Sequence, residues 1–494
     1  MPKTQKKEKS MEAALWESAN KLRGNVEPSE YKHVVLSLIF LKYASDKFED
    51  RRKELIDEGK GAYVEMVDFY TMKNVFYLAP ESRWSYIMEQ SKQSDIALKI
   101  DTALYTIEKI NPSLRGALPD NYYSRLGLDT AKLASLLDEI NKIELTKDNE
   151  QDVMGRVYEY FLSNFALQEG KGKGEFYTPK CIVNLIAELI EPYQGKIYDP
   201  CCGSGGMFVQ SAKFIQAHSG SRGAIAVYGQ EANADTWKMA KINMAIRGID
   251  ADFGAYQADT FTNDLHPTLK ADFVLANPPF GARAAGSVEI HRSDFIKETK
   301  NNQINFLQHI MSLLKSGGRA GVVLPDNVLF ESSGEEVRKK LLTDFNLHTI
   351  LRLPTGIFYA NGVQTNVLFF EKKGKTKELW VYDYRSGIKH TLATNPLKRE
   401  DLDDFVSCFS SEDRNKREET YNKDTNPNGR WRKFSIEEIL EREGTNLDLS
   451  WIKNDSDALE EMKIPELLKL LTEKKQNISD AVTELQKELV ECKL

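Results

Sequence analysis

Apolar residues recur at helical spacing through the first third of the chain. Ala14, Leu15, Ala19 and Leu22 share one face, and Gly24 follows where a C-terminal cap would sit. A longer helix is predicted from Pro28-Ser29, with Leu36, Ile39, Phe40 and Tyr43 on one side. Further helical patterns lie at 94–110, 129–143 and 152–168, and continuous strands are hard to find before 165. The pattern predicts a helical domain over 11–167, with no visible catalytic constellation, behind a short basic and disordered arm over 1–10.

The pattern breaks at Gln168-Glu169-Gly170-Lys171-Gly172-Lys173-Gly174, a polar glycine-rich loop that marks the clearest boundary in the chain. Beyond it, short apolar runs alternate with helical patterns. Strands are predicted at 196–199, 224–229, 255–258, 271–276, 319–324, 347–352, 366–370 and 379–384. Helices fit between them at 179–190, 205–217, 233–247, 303–315 and 335–345. Such alternation predicts an α/β domain over 168–445, a doubly wound and mostly parallel sheet covered on both faces. The strands over 347–384 have short connections, so some of them should be antiparallel. Ser411 to Arg430 is charged, Asn-rich and aperiodic, which reads as a loop. The C-terminal segment 446–494 is predicted to be helical after Pro465. Its stripe of Leu468, Leu471, Ile478, Val482, Leu485 and Leu489 can pack on its own domain or form a seam with a second chain.

Length and composition narrow the picture. A chain of 494 residues is too long for one core and calls for two or three domains. No apolar run approaches the length of a membrane span. The start MPKTQKKEKS is basic with no apolar core behind it, so no secretory signal is read there and a cytoplasmic home is expected. The five cysteines show no CxxC pair, which argues against zinc or a disulfide framework. Net charge is −7, whereas a protein that grips DNA unaided is usually basic. Action on DNA would therefore draw its affinity from a local patch or from a partner.

Four short stretches carry candidate chemistry. The strand ADFVLA stops at Asn277-Pro278-Pro279-Phe280. The two prolines fix a rigid, extended exit from the sheet. They hold the Asn277 side chain, the Pro278 carbonyl and the Phe280 ring at its edge. Two acceptors and an aromatic face suit a planar group that bears an NH2, such as an amino-nucleobase. The strand KIY leads into Asp199-Pro200-Cys201-Cys202-Gly203-Ser204-Gly205-Gly206, where glycines let backbone N–H groups approach a ligand. The spacing is neither the dinucleotide fingerprint nor a P-loop. Asp199 disfavours a phosphate at that point and favours a cationic or hydroxylated ligand.

The third stretch supplies two more acids. Glu231 ends the next strand, placed to accept from ribose hydroxyls, and Asp259 ends the third, placed to accept from an adenine amine. Each acid alone is more often a solvated strand end. Three acids at the tips of three successive strands lie where such sheets bind ligands. The fourth stretch is Gly174-Glu175-Phe176-Tyr177-Thr178-Pro179-Lys180, which can lay side chains over a bound cofactor and otherwise reads as a helix start.

The set GEFYTP, DPCCGSGG, QE, ADT and NPPF, in that order, resembles the amino-methyltransferases that use S-adenosylmethionine. The N-terminal runs LWESANKLRG and YKHVVLSLIFLKYASD resemble the modification (methylase) subunit of type I restriction-modification systems. DPxCGTGG is usual there, so Cys202 matches and Ser204 stands for threonine, keeping the hydroxyl. Tyr and Phe are transposed relative to the common YFTP, which leaves open whether Phe176 or Tyr177 faces the cofactor.

The resemblance implies that 168–445 is a methyltransferase domain of the class I S-adenosylmethionine type. It also implies N6-adenine methylation of DNA on a flipped-out base. Asn277, Pro278, Pro279 and Phe280 would be the catalytic residues. Glu175, Phe176, Tyr177, Thr178, Pro179, Lys180, Asp199, Gly203, Ser204, Gly205, Gly206, Glu231 and Asp259 would surround the cofactor, with no metal. The implied partners are DNA, a specificity subunit shared by two methylase copies, and a restriction subunit in some assemblies. Two other readings remain: a protein glutamine-amide methyltransferase, which takes the same planar NH2, and a non-catalytic subunit that binds DNA or cofactor without turnover.

Overall fold

The computed structural model describes residues 11–20, 28–143, 150–169, 178–218, 225–281, 290, 292–358, 362–392, 394–452 and 475. The first region is helical throughout: α1 (Met11–Asn20), α2 (Pro28–Asp57), α3 (Asp68–Thr71), α4 (Trp84–Glu89), α5 (Ile96–Ile110), α6 (Tyr122–Arg125), α7 (Thr130–Asn141) and α8 (Glu150–Glu169). The long helix α2 begins at Pro28 as expected, since proline is preorganised for a first helical turn. It runs through the middle of the domain, with Val34, Leu38, Phe40, Leu41 and Phe48 wholly buried. Buried Asp101 on α5 accepts from the backbone N–H groups of Tyr122, Tyr123 and Ser124 at 2.8–2.9 Å, tying α6 in place. Asp129 caps α7 by accepting from the Lys132 N–H at 2.9 Å.

The second region is built on a nine-stranded sheet in the order β3-β2-β1-β4-β5-β7-β6-β8-β9. The strands are β1 (Gly195–Asp199), β2 (Ile225–Gly229), β3 (Ala251–Asp252), β4 (Ala271–Ala276), β5 (Leu314–Pro325), β6 (Asn346–Leu353), β7 (Thr365–Glu371), β8 (Glu378–Asp383) and β9 (Trp431–Ser435). From β3 to β5 all neighbours are parallel. β7 inserts antiparallel between β5 and β6, β8 lies parallel to β6, and β9 closes the edge antiparallel. The carboxyl ends of β1, β2 and β4 therefore share one edge. The helices are α9 (Lys180–Ile190), α10 (Gly206–Ala217), α11 (Ala234–Ile246), α12 (Asn302–Leu313), α13 (Asn327–Phe330), α14 (Glu335–Thr343), α15 (Asp403–Phe409) and α16 (Ile436–Leu440). α9, α10, α11 and α15 bury apolar side chains on one face of the sheet. α12, α13 and α14 do so on the other.

Two strand expectations need correction. No strand forms over 255–258; the third strand is Ala251–Asp252. Gly254 turns the chain at φ +72, and Ala255 to Gln257 are exposed, so no ladder continues. Only Ala258 rejoins the edge, donating its N–H to the Glu231 carbonyl at 2.9 Å. Asp259 thus does not end a strand. β9 was not foreseen: buried Trp431 and Phe434 are the only strong apolar positions in a polar stretch.

Helix α11 joins the two regions. Its Trp237, Ala240 and Met244 pack in the core of the sheet. Its Met239, Ile242 and Ile246 pack in the core of the helical domain. The Tyr158 hydroxyl donates to the Met239 carbonyl at 3.2 Å, and the Lys241 ammonium to the Arg115 carbonyl at 2.7 Å. At the far end, Leu447 and Leu449 are buried beneath the sheet, and Arg338 donates to the Gly444 and Thr445 carbonyls. The packed core therefore runs on through Ile452. The basic arm, the cap at Gly24 and the stripe after Pro465 lie outside the described residues. No described helix is long and apolar enough to cross a membrane.

Candidate active site

β1 ends in Asp199, and the turn Pro200–Gly205 carries the chain into α10. Backbone pairing continues past the strands: Gln230 N–H donates to the Asp199 carbonyl and Cys202 N–H to the Gln230 carbonyl, both at 3.0 Å. Gly205 holds φ +80, a conformation that favours glycine, and a Cβ there would also push the Met244 methyl aside from 2.8 Å. A Cβ at Gly203 or Gly206 would meet no atom within 4 Å.

The acids at this edge are already engaged. Asp199 is buried, and its Oδ1 accepts from Cys201 N–H at 3.0 Å. Burial pushes its carboxyl up to about 7, only partly offset by the bonds from Cys201. Glu231 is buried too; its Oε2 accepts from Gly203 N–H at 3.1 Å and its Oε1 from Asn233 N–H at 2.8 Å. Burial raises its carboxyl as well, against those backbone bonds. Asp259 is exposed and caps its own turn, accepting from Phe261 N–H at 2.9 Å and Thr262 N–H at 3.0 Å.

The tip of β4 is different. The Asn277 amide nitrogen donates to the Thr178 hydroxyl at 2.9 Å, while its Oδ1 is buried with no hydrogen-bond partner among the described residues. Pro278 is buried. Phe280 is half-buried, with its ring edge-on to Phe358 at 5.5 Å. The Gln303 side chain at the start of α12 donates to the Pro279 carbonyl and, at 3.0 Å, to the Gly281 carbonyl. That pair of bonds fixes the path of the chain after the two prolines.

A cavity of about 130 Å³ opens between these tips. Of the residues expected at the site, Thr178, Lys180, Asp199, Gly203, Ser204, Gly206 and Asn277 line it. Pro179, Gly205, Glu231, Asp259, Pro278, Pro279 and Phe280 do not line it; Pro179 precedes α9 at its N-cap. Glu175, Phe176 and Tyr177 lie outside the described residues.

Residues 149–456 match the family described as N-6 DNA Methylase, and residues 11–142 the HsdM N-terminal domain. The type I restriction enzyme HindI methylase subunit of Haemophilus influenzae is 36% identical over 321 residues, 60% of this chain and 72% of that relative. The type I restriction enzyme MjaIX methylase subunit of Methanocaldococcus jannaschii is 30% identical over 441 residues, 82% of this chain and 78% of that relative. The chain belongs to the N-6 DNA methylases, among the type I methylase subunits. In fold it is similar to the type I restriction-modification methyltransferase subunit from Streptococcus thermophilus. The TM-score is 0.71 over 88% of this chain and 97% of that one, at 22% identity.

This methylase also places three unforeseen side chains at the site. Glu159 of α8 and Asn243 of α11 line the cavity, and Gln303 braces the exit from β4. Glu159 comes from the helical domain, which no motif connects with the site. Asn243 is a polar residue inside the apolar run of α11, the one local sign of a special role.

Proposed function

We propose that this methylase uses S-adenosylmethionine as methyl donor and that Asn277 receives the target adenine amine. Transfer is to the N6 amine of adenine in DNA, and the chain serves as the modification subunit of a type I restriction-modification complex. The buried Asn277 Oδ1, unpartnered among the described residues, carries the site assignment. A buried acceptor is normally paired, and this one borders the cavity beside Thr178. The strand order β3-β2-β1-β4-β5-β7-β6 with β7 antiparallel supports the class I form of the methyltransferase fold.

The residues gathered at the cavity suit the donor. Asp199 and Ser204 border it, the glycine turn is open at Gly203 and Gly206, and Glu231 and Asp259 follow behind at the same sheet edge. Asp199 would take a cationic or hydroxylated group, Glu231 the ribose hydroxyls and Asp259 the adenine amine. Gly203, Ser204, Gly205 and Gly206 form the turn, Thr178 and Lys180 border the cavity, and Glu175, Phe176, Tyr177 and Pro179 are assigned to the donor by the family resemblance. When bound, S-adenosylmethionine supplies an electrophilic methyl on a sulfonium and leaves as a neutral thioether.

The chain's own part is positioning and electrostatics. The N6 lone pair is delocalised into the adenine ring, so the amine is a poor nucleophile. Asn277 Oδ1 and the Pro278 carbonyl accept hydrogen bonds from the two N6–H groups, favour a pyramidal nitrogen and stabilise the positive charge that develops there. Thr178 and Gln303 hold this tip in place before the base arrives. N6 is paired inside a duplex, so the base is flipped out, with Phe280 stacking on it.

The partners follow from the family, and the charge agrees with them. A chain of net charge −7 gains affinity for DNA through association. A specificity subunit shared by two methylase copies, and a restriction subunit in the nuclease form, complete the assembly in the cytoplasm. The C-terminal stripe at Ile478, Val482, Leu485 and Leu489 is the candidate contact. A glutamine-amide methyltransferase has no use for the helical domain, and a non-catalytic subunit has no use for an open Asn277 acceptor.

Transfer of tritiated methyl groups to DNA, with and without the specificity subunit, tests this. The chain alone should bind the donor and methylate weakly without sequence choice. The complex should methylate adenine at a defined sequence. Site-specific methylation by the chain alone would overturn the division of labour, and methylation of a protein amide would overturn the substrate.

A further inference from the structure

We infer that Arg247 couples the helical domain to the cofactor turn, so that docking of α8 shapes the Ser204 turn and cofactor binding in return holds α8 in place. The inference rests on the cofactor assignment above. Arg247 follows α11 and is buried. Its Nη2 donates to the Gly155 carbonyl and to Glu159 Oε1, both at 2.8 Å, on one turn of α8. Its Nη1 donates to the Asn243 carbonyl at 3.2 Å and to Asn243 Oδ1. Asn243 Nδ2 in turn donates to the Ser204 carbonyl at 2.6 Å. The hydrogen bonds therefore run unbroken from α8 to the glycine turn. Glu159, Asn243 and Ser204 all border the cavity.

Two independent features mark this junction as built. Gly155 sits inside a 20-residue helix, where glycine is unfavourable. A Cβ there would lie 3.2 Å from Arg247 Nη2 and 3.3 Å from its Cζ, so glycine lets the guanidinium reach the helix backbone. Glu159 also gathers more than Arg247: Lys180 of α9 lies 3.4 Å away and Lys213 of α10 3.7 Å. Burial alone would raise its carboxyl, but Arg247, Lys213 and Lys180 together hold it below the usual range. One carboxylate of the helical domain thus meets cations from α9, from α10 and from the end of α11. A planar guanidinium can donate toward α8 and toward Asn243 at once, and an ammonium cannot hold that geometry.

Arg247 is on this account a positioning residue, and the coupling must act in both directions. Hydrogen exchange of α8 in the full chain, with and without the unreactive product S-adenosylhomocysteine, reads it directly, beside calorimetric affinity. In the unaltered chain the ligand should slow exchange over 155–165. In Arg247→Lys affinity should fall about tenfold, within the usual range of coupling between sites, and the ligand should no longer protect α8. Asn243→Ala cuts the path on the catalytic side and leaves the Arg247 bonds to α8 in place; it should lose the same protection, and it serves if Arg247→Lys does not fold. Ligand binding that leaves α8 exchange unchanged in the unaltered chain would overturn the coupling alone, as would folded variants with full affinity and full protection. Absence of ligand binding by the unaltered chain would overturn the cofactor assignment itself.

Discussion

The two halves of the sheet edge are prepared in opposite ways. At the tips of β1 and β2 each acid is occupied by backbone N–H groups of the surrounding turns: Asp199 by Cys201, Glu231 by Gly203 of the β1 turn and by Asn233. At the tip of β4 the Asn277 oxygen is buried and has no hydrogen-bond partner among the described residues. The first arrangement fixes the shape of a receptor before its ligand arrives. The second leaves an acceptor in reserve, at a standing cost of about 1–3 kcal/mol for an unpaired buried group. That cost is recovered only when a donor enters. On the proposed function, binding falls to one half and rate to the other, and the comparison can be broken by separating the two quantities.

The largest effect belongs to Asn277. Asn277→Ala should lower the methylation rate by roughly 10²–10³, the usual loss for one transition-state contact, with donor affinity unchanged. Single-turnover rates beside calorimetry check this, and a parallel fall in affinity would erase the distinction. Glu231→Ala should do the reverse. Loss of charge-assisted bonds weakens donor binding by about 1.5–3 kcal/mol, while rate at saturating donor is kept. Unchanged affinity would move the ribose site elsewhere.

Asp199 sharpens the comparison through pH. Its carboxyl is raised to about 7 by burial, against a usual 3.8, so between those values the folded chain keeps a proton that the unfolded chain has released. Stability of the ligand-free protein therefore falls as pH rises through that window. A ligand that needs the carboxylate must displace the proton. Donor affinity should rise by up to about tenfold per unit as pH approaches 7 and then level off. Asp199→Asn should flatten both profiles, which thermal melts and calorimetry across pH would reveal. The smallest effect is expected from Gln303→Leu. It removes two neutral hydrogen bonds behind the β4 tip, each worth about 0.5–1.5 kcal/mol, and should slow methylation several-fold without touching donor affinity. A loss of affinity instead would place Gln303 in the binding half.

What the sequence revealed follows how local each signal is. The central strands read well because β1, β4 and β7 hold short apolar runs. The glycine turn and Asn277-Pro278-Pro279-Phe280 were legible because each is contiguous in the chain. The third strand misled because the run before Asp259 looks like a strand, whereas Gly254 diverts it to the surface. Trp431 and Phe434 were hidden among polar neighbours. Glu159, Asn243 and Gln303 escaped for a deeper reason: their partners include backbone carbonyls and side chains far away in sequence, such as Ser204 for Asn243 and Pro279 for Gln303. Composition carries no trace of such pairs.

Helix α11 has a consequence for how this protein can change over time. From Thr236 to Arg247 none of its residues is exposed, because one side serves the sheet and the other the helical domain. A substitution there must satisfy two sets of neighbours at once, so drift along this helix is confined to changes that suit both. The same constraint makes the two regions poor candidates for exchange between relatives. A helical domain borrowed from elsewhere would arrive without the counterpart of Met239, Ile242 and Ile246. The two regions should be inherited as a pair, even though a glycine-rich boundary separates them along the chain.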